Sequence, residues 1–105
     1  MSDSEAPKSK VDIEHQRRLL DDENPDALWP DGFEDAYIGQ AYRCGQPVLA
    51  AFSVKKCIQI LMDRDGMTWE EASEFFEFNV SGAWVGAGTP IWIYEIDEDD
   101  IPRTR

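Results

Sequence analysis

The chain has 105 residues, of which 42% are apolar, so it supplies one domain with one modest core. Its 22 acidic side chains against 10 basic ones leave a net charge of −12, spread along the whole length. That field repels phosphate backbones and anionic membranes, which argues against direct nucleic-acid binding and favours a partner with a basic surface, although solubility alone accounts for the same acidity.

No run of about eighteen apolar residues occurs, so no membrane span is expected. The start "MSDSEAPKSK" has no apolar core and reads as no signal peptide. The expected setting is a reducing cytoplasm, with Cys44 and Cys57 as free thiols. These two cysteines and the single His15 do not build a zinc site, and neither a metal nor another cofactor is expected.

Residues 1–24 read as a flexible extension. Within it, "VDIEHQRRLLDDE" carries a thin stripe of Val11, His15, Leu19 and Leu20, which allows a short helix over 11–23, docked or loose. "NPDALWPDG" is turn punctuation, and Leu28 and Trp29 pin it to the core. In "FEDAYIGQAYRCGQPVLAAFS" an alternation, a "CGQP" turn and an apolar run predict a β-hairpin with strands near 36–43 and 47–53. Gly39 marks a bulge or a close neighbour in the first strand, and the alanines also allow a helix over 33–42.

Val54, Cys57, Ile58, Leu61 and Met62 fall at helical spacing, with Ser53 as N-cap and Gly66 as stop. Cys57 lies on that stripe, so it reads as a packed thiol and not a nucleophile. A second helix starts at "TWEE", where Thr68 and Glu71 form a capping box. Trp69, Ala72, Ser73, Phe76, Val80, Ala83 and Trp84 keep helical spacing, with Phe75 and Phe78 on the flanks and Glu70, Glu74 and Glu77 opposite. "IWIYEI" adds a strand over 90–96 that is apolar enough for a central place in a sheet. Residues 97–105 read as an acidic frayed tail. The order β-β-α-α-β over 25–96 predicts a small two-layer α+β domain.

Gly82, Gly86 and Gly88 in "GAWVGAG" invite comparison with a phosphate-binding loop. They follow a helix and precede a strand, the reverse of a dinucleotide loop, and a helix C-terminus repels anions. Gly82 or Gly86 is read instead as a left-handed helix end, and Gly82 also as a point of close backbone approach. A calcium loop through "DRDGMTWEE" fails, because its first and last ligand positions are Leu61 and Ala72. No nucleophile and base come together, so no catalytic residue is assigned. Arg43, beside Gln40 and Tyr42, binds a carboxylate ligand or pairs with Glu34 or Asp35. Asn79, among apolar neighbours, bonds the hairpin backbone or meets a ligand. Arg43, Asn79 and Trp84 make the candidate ligand or partner cleft. Glu70, Glu74 and Glu77, continued by Glu95, Asp97 and Glu98, make the candidate acidic partner face.

The segment "EFFEFNVSGAWVG", preceded by "ILMDRDGMTWEEA", resembles a family of small uncharacterised proteins of bacteriophage genomes and other mobile elements. The likeness runs from residue 33 to about 93 and brings no activity or catalytic residue with it. It implies a setting, that of a phage or prophage accessory protein in host cytoplasm. The leading expectation is non-enzymatic binding to a host protein. In its sharper form, carboxylates stand in for phosphates and inhibit a defence or nucleic-acid-handling factor. The alternatives are a small-molecule binder or small enzyme using the Arg43/Asn79 cleft, and a virion structural or assembly role.

Overall fold

A computed structural model of the chain describes residues 10–96. Its elements are α1 (Lys10–Glu23), a 3₁₀ turn (Glu34–Ala36), β1 (Tyr37–Ala41), β2 (Leu49–Ser53), α2 (Val54–Asp65), α3 (Trp69–Phe76), a π-helical segment (Glu77–Ser81) and β3 (Ile91–Ile93). From β1 onward this is the β-β-α-α-β order of a small α+β domain, and 33–42 is no α-helix but a 3₁₀ turn over 34–36 followed by strand over 37–41.

β1 and β2 form the antiparallel hairpin, with the register shifting between Tyr37 and Gly39. Gly39 sits at φ 148°, so the bulge falls on the residue without a side chain to oppose it. β3 runs parallel to β2, and the sheet order is β1-β2-β3. This corrects the expectation for 90–96: the strand is short and lies at an edge. The central strand is β2, whose residues Ala50 to Ser53 are all buried. Its small alanines let neighbours close in from both sides, whereas Tyr94 and Ile96, beyond β3, stay exposed.

The α2 and α3 boundaries arise from local chemistry. The Ser53 hydroxyl accepts from the Lys56 amide at 3.1 Å, which caps α2. Gly66 ends it in the left-handed region at φ 70°, its amide reaching the Met62 carbonyl. Thr68 and Glu71 then exchange the two bonds of a capping box at 3.1 and 2.9 Å. α3 does not continue to residue 84. It slips into a π turn at Glu77 and stops at Ser81. Gly82 is right-handed helical, and Gly86 takes its positive φ out in the following loop, so neither supplies a left-handed helix end. Close approach does explain Gly82, because a Cβ there would press on the Glu77 carbonyl oxygen.

The core is built mainly from aromatic rings. Phe52 meets Trp29 at 5.4 Å, Tyr37 at 5.6 Å and Trp92 at 5.8 Å between ring centres. Phe76 from α3 stands edge-on to Trp92 at 5.2 Å, which fastens the helix to the sheet edge. Cys57 is fully buried, and burial pushes its thiol up to about 12.

α1 is docked on this core. Its inward residues are Ile13 and Leu20, with the Arg17 guanidinium 5.4 Å over the Trp29 ring between them. His15 and Leu19 of the expected stripe are exposed. Leu20 of that stripe is buried, and Arg17, though exposed, lays its guanidinium over the Trp29 ring. Beyond the helix, the Asn24 side chain donates to the Val48 carbonyl at 2.8 Å and ties the segment to the hairpin. Residues 10–24 therefore share a core with the β-β-α-α-β domain.

Candidate functional site

The three residues expected to share one cleft do not meet. Arg43 is exposed in the hairpin loop, over a concavity of about 420 Å³ shared with Tyr42, Gln46, Leu49 and Ile91. It forms no ion pair with Glu34 or Asp35. Glu34 instead accepts from the Gly32 amide at 3.1 Å. Asn79 is exposed too, and its amide donates back along its own helix to the Phe75 carbonyl at 3.2 Å, not to the hairpin. The π turn places it at the rim of an apolar concavity with Phe33, Val80 and Trp92, exposed rather than buried. Trp84 is 77% exposed, beyond the end of the helix that was expected to carry it into the core.

What the structure does gather lies along α3 and its π extension, which form a ridge. The buried side of the ridge is Ala72 and Phe76. On one flank Met67, Glu71, Glu74, Phe75, Phe78 and Asn79 line a shallow, open concavity. Phe78 is 81% exposed there, and Phe75 is exposed beside it. Glu70 and Glu74 stand a helical turn apart on the ridge and are both exposed.

The opposite flank is a deeper cleft of about 410 Å³, bounded by α2, α3 and the residues after β3. Val54, Ile58 and Phe76 make its apolar floor, and the exposed rings of Trp69 and Tyr94 stand in its walls. Lys55, Glu77 and Glu95 carry its charges. Ser73 also lines it, with a hydroxyl oxygen that is shielded from solvent and has no hydrogen-bond partner.

Glu95 is held in place. The Ser53 hydroxyl, which caps α2 with its lone pair, donates its proton to the Glu95 carboxylate. The carboxylate therefore sits beside the positive end of α2, where an anion is favoured. Ser53 is fully buried and closes β2, level with Ile93 at the end of the parallel strand β3, so the pair sits where both strands end.

The acidic face is thus split across two sides of the ridge. Glu70 and Glu74 face outward, whereas Glu77 and Glu95 belong to the cleft. Asp97 and Glu98 lie outside the described residues. Sequence reasoning had Trp69 in the core. It opens α3 at the first helical position, one residue after the Thr68 cap, and its ring is 61% exposed. The period-two alternation of Trp92 and Tyr94 was the available clue to this cleft, since it sets both rings on the face that Phe76 covers.

Among the described residues no three His, Cys, Asp or Glu side chains gather as a metal site, and no helix is long and apolar enough to cross a membrane. The site and fold together define a small α+β domain with an exposed aromatic and acidic ridge. The chain matches no family model, no curated protein and no solved structure.

Proposed function

We propose that this is a binding protein that docks a basic protein surface on the α3 ridge. One observation carries the reading: large apolar side chains and glutamates alternate on the same short segment, with Phe78 81% exposed and Trp69 61%. From Met67 to Ile96 the chain has five glutamates and no Lys, Arg or His. An apolar centre with a charged rim is the usual anatomy of a contact surface, and the sign of the rim selects the partner. Burying one Phe side chain at an interface contributes about 1.5–3 kcal/mol. On this reading the setting is the one the sequence resemblance implies, a host factor in host cytoplasm, and it is part of the proposal. A nucleic-acid-handling factor fits that description, since its phosphate-binding surface is basic.

Pull-down from host lysate with tagged protein tests this. The retained partner is expected to be lost at 0.5 M salt or so, to be lost with Phe78→Ala or Glu74→Lys, and to be competed by DNA or RNA if mimicry operates. A retained partner that ignores both substitutions and the salt would sink the reading.

A further inference from the structure

We propose that the cleft between α2, α3 and the residues after β3 binds an organic cation on an apolar stem, an alkylammonium or alkylguanidinium group. This site lies on the flank opposite Phe78 and goes beyond the docking of a partner on the ridge. Its volume of about 410 Å³ suits a small ligand or one long side chain. The floor of Val54, Ile58 and Phe76 takes an apolar stem, and all three are buried or half-buried.

The charges choose the sign of the head group. The cleft holds two carboxylates and one ammonium. The positive end of α2 is already answered by Glu95, which Ser53 holds beside it. The exposed Glu77 side chain lines the cleft, and its amide, not its carboxylate, is the group engaged at the end of α3. Trp69 and Tyr94 present aromatic rings in the walls, and such rings attract cations and not anions. The net charge of −12 adds a long-range field of the same sign. The Ser73 hydroxyl has no partner and can accept an N–H.

The cation has two sources with one chemistry, a free amine or the side chain of a basic partner. Both are read by ¹⁵N-edited NMR titration of the whole protein. The probes are phenethylammonium, acetyl-arginine-amide and the anionic isostere 3-phenylpropionate. Either cation is expected to shift the Trp69 indole N–H together with the Ser73 and Tyr94 amides, saturably, with a Kd of about 1 mM. Tighter binding of phenethylammonium points to a free amine, and tighter binding of acetyl-arginine-amide points to a partner side chain. Glu77→Gln, at an exposed position that leaves the fold intact, weakens binding about threefold or more. Glu95→Gln keeps a carbonyl acceptor for Ser53 and weakens it in the same sense. Phe78→Ala leaves the titration unchanged, so loss of the ridge reading and loss of this one are separable. Shifts elsewhere in the protein, binding of 3-phenylpropionate as tight as that of the cations, or indifference to Glu77→Gln overturns the proposal.

Discussion

Leu20→Ala is the sharpest test of how much of the chain belongs to the folded unit. Leu20 has no exposed surface, and its neighbour Leu19 is 43% exposed on the same helix. The substitution removes three carbons from a sealed site. At about 0.8 kcal/mol for each buried methylene-sized group, the transfer loss alone is about 2.4 kcal/mol. The cavity left behind raises the expected cost to about 2–5 kcal/mol. In a domain of this size each kcal/mol is worth roughly 4–8 °C in Tm, so a fall of about 10 °C or more is expected. Leu19→Ala removes the same atoms from a largely hydrated site and is expected to stay within about 0.5 kcal/mol. Urea unfolding of both variants, followed by tryptophan fluorescence, measures the difference. Equal midpoints for the two would refute the docking of α1 and return residues 10–23 to the status of a loose extension.

Close contacts and buried groups set further outcomes. Gly88→Ala drives a Cβ into the Asp26 carbonyl and endangers the 3.0 Å bond from the Leu28 amide to the Gly88 carbonyl, so urea unfolding should show a loss of about 1–3 kcal/mol. In the native state a chromogenic disulfide reagent should titrate one thiol quickly, exposed Cys44, and reach the second, Cys57, only after denaturation. Stability should decline as pH rises from 9.0 toward 12, because the native state keeps a Cys57 proton that the unfolded chain gives up near 9.0 and the native thiol gives up at about 12. Tyr37, whose hydroxyl burial also raises above 10.0, pulls in the same direction. Urea midpoints at pH 8 and pH 10 should differ less in Cys57→Ala than in the parent.

The parts of this fold that were legible in the sequence are those decided within one helical turn. Ser53, Gly66, Thr68 and Glu71 act on amides and carbonyls three or four residues away, so their roles can be read from spacing. The hairpin and its bulge at Gly39 were readable from alternation and from the one residue that breaks it. What was hidden depends on residues far apart. β3 reads as a central strand by composition, and only its pairing shows it at an edge. The exposed Arg17 stacks its guanidinium on Trp29, a ring that comes from the next segment and that α1 alone does not announce. The π turn leaves Asn79 exposed and ends the ridge before Trp84, and nothing in a 3.6-residue pattern announces that slip. The candidate cleft was missed for the same reason, since Lys55, Ser73 and Tyr94 come from three elements that meet only once the sheet is complete.

That completion has a kinetic side. β1 and β2 close through a short loop, whereas the Ala51–Ile91 pairing must bridge about 40 residues and carry two helices with it. Parallel pairing of this span belongs among the slow contacts of a small domain. The hairpin and the capped helices are expected to assemble first and β3 to land last, with Trp92 as the natural reporter of that final step. A Trp92→Phe substitution should therefore speed unfolding more than it slows refolding. Until β3 lands, Tyr94 and Glu95 have no fixed place, so a nascent molecule holds its helices and hairpin before the cleft between them is walled on its third side.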